Sequence, residues 1–292
     1  MHEILVDSSF ILLYGVSYGV VLFTISVGLV VTLGLMRVVN MAHGAFAAIG
    51  GYAFVELMTG WHVPFALALP LAVLAVAGLG LVLERVIFEH LYGASDLDQV
   101  LITVGLAFLV VAGLNLAFGP DIVTAPLPAS LAGNVDLGIR TFETYRIFVL
   151  VAGVALMAAL WYLFERTPFG ARLRAAVDNR AMAEAVGIDV RRLFSVAFAL
   201  GCGLAALGGA LGYKILPLEP TYPLKYLALV LIVVTLAGSR NVKASAIVAI
   251  LIGIIDEAGR FLYPPSGNFT IYLLVIAVML WRSEGFLTSR AA

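Results

Sequence analysis

Nine apolar segments, at roughly 8–35, 44–59, 64–87, 99–118, 146–165, 194–214, 224–238, 243–262 and 269–281, constrain this chain more than any other feature. A helix needs about 20 apolar residues to cross a bilayer core, and in lipid every backbone N–H and C=O must be paired inside the protein. The composition fits such a setting: 62% of residues are hydrophobic and 12% charged, against about 45–50% and 25% in soluble domains. The sequence therefore predicts an all-α polytopic membrane protein, one transmembrane domain over residues 1–292, with about eight or nine transmembrane or half-membrane helices. Segments 44–59, 224–238 and 269–281 are short for a full crossing. They suit re-entrant or half-helices, which occur where backbone is buried in protein or lines a cavity. Met1-His2-Glu3 lacks the basic region of a cleaved signal, so the segment from Phe10 onward reads as a retained helix.

Orientation follows from Lys and Arg in short connections. The loop 166–193 holds six of the 17 basic residues, Arg166, Arg172, Arg174, Arg180, Arg191 and Arg192, against Asp178, Glu184 and Asp189. It is expected on the cytoplasmic side, together with Arg37, Arg240, Lys243 and the tail carrying Arg282 and Arg290; the N-terminus is then outside. The acids of loop 88–98 (Glu89, Asp96, Asp98) run against this pattern. Residues 119–145, with Pro120, Pro126, Pro128 and Gly133, read as a turn-rich extracytoplasmic connection.

Polar residues at membrane depth mark protein interior, water or a solute route. In the first 80 residues, Arg, Asn and His crowd together only at Arg37, Asn40 and His43, followed by the small residues Gly44, Ala45, Ala47, Ala48, Gly50 and Gly51, which let other helices approach closely. This stretch reads as a break between two helices at or near a transport route. Asn40, His43 and Gly44 either meet solute there or satisfy backbone groups freed at the break. Arg37 is expected to snorkel, or to pair with Glu84 or a lipid headgroup; Glu56 reads as a surface anchor. Thr103 and Asn115 are read as near neighbours on one helix face, bonding between helices. Asp256-Glu257 is the most expensive pair in the chain, serving either as a structural partner of Arg260, one turn on, or as a site for an amino group. The outer loop from Lys214 to Tyr226 either receives a partner or is a proline-stiffened connector. Gly208-Gly209-Ala210-Leu211-Gly212 signals close helix packing, within the chain or across an interface.

Thr167-Pro168-Phe169-Gly170 breaks the preceding helix. Leu173, Ala176, Val177, Ala181 and Val186 then form a narrow apolar stripe at helical spacing, opposite Arg172, Arg174, Asp178, Arg180 and Glu184, and Gly187 ends the run as a C-terminal glycine would. The prediction is one short amphipathic helix on the cytoplasmic face. It rests on anionic lipid or, as its thin Ala-rich stripe suggests, docks on a cytoplasmic protein.

Two motifs carry a family resemblance. The first is Gly34-Leu35 followed by Asn40-Met41-Ala42-His43-Gly44. The second is Thr167, Gly170, Arg174-Ala175, Asn179-Arg180, Ala183 and Gly187-Ile188-Asp189. With the segment Leu101 to Leu106, they resemble the LivH-type permeases of ABC importers of the branched-chain amino acid family, over almost the whole chain. The resemblance implies a permease domain that pairs with a second related (LivM-like) permease, two cytoplasmic ATP-binding subunits and an extracytoplasmic solute-binding protein. It implies that ATP and Mg bind to those partners and that this chain carries no cofactor. It also assigns Thr167, Gly170, Arg174, Asn179, Arg180, Glu184 and Gly187 to the coupling loop. One stretch departs from the family: where a glycine-rich run is usual, the chain reads Leu236-Ala-Gly238-Ser239-Arg240-Asn-Val-Lys243-Ala244. Branched-chain amino acids are the default solute; urea, short amides and aromatic acids remain open.

Other classes find little support. A net charge of −1 argues against nucleic acid. No P-loop is present, the four histidines are scattered, and the single cysteine, Cys202, makes neither a disulfide nor a multi-cysteine metal site. A membrane-bound enzyme lacks a site. An ion-coupled secondary transporter or channel would have to rely on Asp256-Glu257.

Overall fold

The computed structural model describes residues 2–36, 40–136, 141–238 and 241–262, with single positions at 264, 269, 272, 273 and 276. The ninth apolar segment apart from those positions, Arg37 with its expected pairing, Arg240 and the tail arginines lie outside the described residues.

The remaining eight apolar segments are all helical. They are α1 (His2–Met36), α2 (His43–Thr59), α3 (Phe65–Leu83), α5 (Asp96–Phe118), α6 (Thr144–Arg166), α9 (Val190–Gly212), α11 (Leu227–Ala237) and α12 (Val242–Leu262). α3 continues through a π-helical turn, Glu84–Phe88, into α4 (Glu89–Leu91). Five stretches, Ser9–Leu33, Phe65–Leu91, Asp96–Phe118, Thr144–Arg166 and Val190–Gly212, are long and apolar enough to span a membrane. The chain is a multi-pass helical membrane protein. α2 at 17 residues and α11 at 11 residues fall short of a span. α12 is long enough, but Lys243, Asp256, Glu257 and Arg260 interrupt its apolar run.

Helices α1 and α9 form the buried centre, whereas α3, α5 and α6 expose most of their surface. Small residues create that centre. A Cβ on Gly15 or Gly19 would sit 2.6 Å from Ile254 Cα or Ile250 Cα of α12. Gly28 of α1 meets the Gly201 carbonyl of α9, and Gly209 of α9 meets the Ala47 carbonyl of α2. Between helices in lipid there is little hydrophobic drive, so this close backbone approach supplies the packing. The Gly208/Gly212 motif serves the same purpose inside the chain: Gly208 lies on Ile25 and Gly212 on Val21.

The two long connections meet at one end of the bundle. Strands β1 (Asn134–Asp136) and β2 (Thr141–Glu143) form a short antiparallel hairpin within 119–145. Upstream, Val123 N–H donates to the Leu218 carbonyl at 2.9 Å, and Lys214 Nζ to Thr124 Oγ1 at 3.2 Å. The loop Lys214–Tyr226 differs from its expected form as a wholly outer connection. Its second half, with the one-turn helix α10 (Tyr222–Lys225), dips into the bundle: Tyr222 and Pro223 are buried, and Pro223's carbonyl lies against Gly44.

At the opposite end, the acids that ran against the charge pattern find structural roles. Ser95 caps α5, accepting from Asp98 N–H at 3.3 Å and donating to Asp98 Oδ2 at 2.7 Å. Asp96 and Asp98 thus sit in the first turn, where the helix dipole favours negative charge. Glu89 pairs with Arg191 at 2.8 Å. Glu84, on the π turn and 1% exposed, accepts from Tyr92 Oη at 2.5 Å and from Ser195 Oγ at 2.6 Å, tying α3 to α9.

Candidate functional site

The break between α1 and α2 is held by side chains. Asn40 Oδ1 accepts from Ala42 N–H at 3.0 Å, and His43 contacts the Ile25 carbonyl through Nε2 at 2.8 Å. Ile25 lies about two thirds of the way along the Ser9–Leu33 span, so α2 begins within the depth of that span. From α5, Thr103 Oγ1 accepts from Met41 N–H at 3.1 Å while donating to the Gln99 carbonyl at 2.7 Å. Asn40, His43, Gly44 and Thr103 are therefore brought together, all buried. Each polar member uses part of its capacity on the break itself. Asn40 Nδ2 and His43 Nδ1 remain buried without hydrogen-bond partners among the described residues.

Gly44 adds a second helix start. Because the Pro223 carbonyl packs on Gly44, the beginning of α10–α11 adjoins the beginning of α2. Ala42 supplies no side-chain cap to α2, and Tyr226 none to α11. Two short helical segments thus begin close together near His43; in α10 the Tyr222 N–H bonds the Glu219 carbonyl, the Leu224 and Lys225 N–H groups bond the Thr221 carbonyl, and Pro223 has no N–H to offer. Sequence reasoning missed Pro223 and Tyr222 here. The signal was present in the proline pair Pro220/Pro223 ahead of a short apolar run.

Asn115 stands apart. It is exposed on α5 and its side chain makes no hydrogen bond among the described residues. The expectation that it shares a face with Thr103 fails on geometry: twelve residues are about three and a third helical turns, which rotates it about 120° away. Asp256 and Glu257 are also elsewhere, near where α12 meets α1 at Gly15 and Gly19, about two turns from Ile25. Asp256 is 2% exposed and paired with Arg260 Nη2 at 2.8 Å, whose guanidinium lies 5.6 Å from the Tyr18 ring centroid. Glu257 is half-buried.

The loop 166–193 forms two helices where one was expected, α7 (Pro168–Asp178) and α8 (Arg180–Ala185). Asn179 makes the break. Its extended backbone ends α7, and its Oδ1 caps α8 at Met182 N–H, 3.0 Å. The motif residues shape this elbow. Thr167 Oγ1 accepts from Gly170 N–H at 3.4 Å, Gly170 packs on the Phe164 backbone, and Arg174 donates to the Phe164 carbonyl. Arg180 pairs with Glu184 at 2.9 Å, and Gly187 turns the chain at φ +86°. The apolar stripe is only partly free, since Leu173 and Ala176 are buried against the bundle. The free apolar surface is at the tip, where Met182 is 62% and Val186 69% exposed. Met182 escaped the sequence reading, although it is the one large apolar residue among Asn179-Arg180-Ala181-Met182-Ala183-Glu184.

The family described as branched-chain amino acid transport system, permease component, matches residues 11–280. This chain belongs to that permease family. It is 23% identical to the high-affinity branched-chain amino acid transport system permease protein BraD of Pseudomonas aeruginosa, over 94% of each chain. It is 22% identical to the permease protein LivH of Escherichia coli over 91% of each chain, and 25% identical to LivM of the same organism over 90% of this chain and 67% of LivM. No solved structure matches this chain. The permease is a membrane transport component, and its likeness to both LivH and LivM places two curated permeases of one transport system within its family.

Proposed function

We propose that this permease forms half of the membrane pathway of an ATP-driven ABC importer in a bacterial inner membrane. It carries branched-chain amino acids or a related small zwitterion. The observation that carries this reading is the break between α1 and α2, where the buried start of α2 lies beside Asn40 and His43. A helix start inside the membrane suits an anionic group on a solute, and the buried Asn40 Nδ2 and His43 Nδ1, without hydrogen-bond partners among the described residues, are available to it. A carboxylate fits this chemistry better than a neutral amide such as urea. A second, LivM-like permease would complete the pathway.

In this reading the α7–α8 elbow faces the cytoplasm and seats in one of two ATP-binding subunits, where ATP and Mg bind. The exposed Met182 and Val186 form its apolar contact, and Arg172 and Arg180 flank them. The end carrying the β1–β2 hairpin and Lys214–Leu218 faces an extracytoplasmic solute-binding protein. The N-terminus then lies outside and the C-terminus inside. Arg260 beside Asp256 argues against that carboxylate as an ion-coupling group.

The test is uptake in vesicles, with neighbouring subunits co-expressed and labelled leucine, urea and an aromatic acid offered in parallel. The expected result is ATP-dependent accumulation of leucine. Uptake that ignores ATP and follows an ion gradient would replace this reading with a secondary transporter.

A further inference from the structure

A cavity of about 930 Å³ lies between the ends of α1, α6 and α12 nearest the elbow and is floored by α7. Its walls are apolar, with Val30 and Val31 from α1, Met157 and Trp161 from α6, and Leu173 from α7. Its volume falls in the range of about 300–1,000 Å³ typical of ligand sites. At the far end Gly153 packs against Val20 and brings α6 onto α1. The cavity's lining on α6 runs from Val154 to Glu165, about 18 Å at 1.5 Å per residue. That is close to one leaflet, half of the ~30 Å core. Val154 is 66% exposed, so the slot opens sideways, where lipid would stand.

The rim near α7 is charged. Arg174, Lys243 and Glu165 line it, and no two of them form an ion pair. Lys243 has no hydrogen-bond or ion-pair partner among the described residues. Arg166 lies over the Trp161 ring at 5.3 Å, an aromatic–cation pair of the kind found at headgroup level. Two cations against one acid leave the rim net positive.

We propose that this cavity binds one anionic phospholipid from the leaflet on the elbow side, an acyl chain filling the slot and the phosphate held between Arg174 and Lys243. Basic pockets between transmembrane helices favour such headgroups. The bound lipid bridges α7 to the start of α12, and so sets how firmly the elbow is held to the bundle. That this leaflet is the cytoplasmic one rests on the orientation proposed above.

The test uses the full chain in nanodiscs of phosphatidylcholine with or without phosphatidylglycerol, with lipid retained after detergent extraction counted by native mass spectrometry. Wild type should retain one phosphatidylglycerol in preference to phosphatidylcholine. Arg174→Gln with Lys243→Gln should weaken that preference roughly thirty-fold, while Arg174→Lys with Lys243→Arg keeps it. Ala158→Trp, which leaves the rim intact but fills the slot, should lose the lipid. Equal retention of the two lipids by wild type, or retention unchanged in both the double Gln and the Ala158→Trp variants, would overturn the proposal. Orientation is read separately, by side-specific thiol labelling of Asn179→Cys; Cys202 is buried and does not compete. An outward-facing label with phosphatidylglycerol retained would move the site to the other leaflet and refute the orientation alone.

Discussion

The Arg174 guanidinium donates to the backbone carbonyl of Phe164, ten residues earlier and across the break between α6 and α7. It caps one of the carbonyls that the end of α6 leaves without a helical partner, and it clamps α7 beneath the bundle. Gly170 packs on the same backbone, where a side chain has no room. A motif arginine that charge alone would assign to a partner thus first builds the elbow.

Arg174→Gln is expected to loosen this clamp without unfolding the protein, because the arginine is exposed and the contact is local. Hydrogen exchange over residues 168–178 should rise several-fold, while the melting temperature changes little. In coupled vesicles, ATP hydrolysis should continue and uptake should fall. Unaltered exchange would mean that the clamp does not hold α7. Unaltered uptake would mean that it plays no part in coupling.

Thr103→Val removes the acceptor for the partly buried Met41 N–H. Leaving such a donor unpaired costs about 1–3 kcal/mol, and Thr103→Ser should restore most of it. Denaturation in detergent measures the difference. Equal stability of the Val and Thr proteins would show that the break does not depend on α5.

Tyr92 lies just past the α3 span. Burial, and its hydrogen bond to Glu84, push its phenol above the usual range. The folded state therefore holds this proton more tightly than the unfolded chain does. The associated stability is fully present below about pH 10, the ordinary tyrosine value, and is lost as pH rises toward the folded pKa. Tyr92→Phe should cost about 1–2 kcal/mol at pH 7, by leaving buried Glu84 with one donor fewer. It should also make the alkaline loss of stability shallower. Melting curves from pH 7 to 11 that run parallel for both proteins would refute the second point.

Arg260→Ala strands the carboxylate of Asp256, which is 2% exposed. Because Arg260 itself is partly exposed, the expected cost is about 2 kcal/mol, below the 3–5 kcal/mol of a fully buried pair. Asp256→Asn on that background should recover much of it, giving a positive coupling in a double-mutant cycle. Asp256→Asn alone should leave uptake intact; abolished uptake in a stable variant would return Asp256 to the transport site.

The residues legible in advance were those whose chemistry is local. Thr167 and Gly187 act on their own turns, as a cap and a left-handed corner, so type and spacing were enough to mark the ends of the elbow. Asn179 was read only as a member of the family motif, because a cap within a continuous amphipathic pattern shows only when the backbone turns. Thr103 was read as bonding between helices, but its partnership with Met41 spans 62 positions. Asn115 was misplaced by counting turns too loosely.

Apolar run length and charge asymmetry alone established a multi-pass helical protein with one basic loop, since every backbone group in lipid must be satisfied within its own helix. The two motifs established the family. Which half-helices meet was decided only in three dimensions. Pro223 reaches Gly44, and α9 touches α1 and α2, because glycine positions on α1, α2 and α9 allow backbones to approach. That fit depends on the shapes of several helices at once, and no single stretch of the chain encodes it.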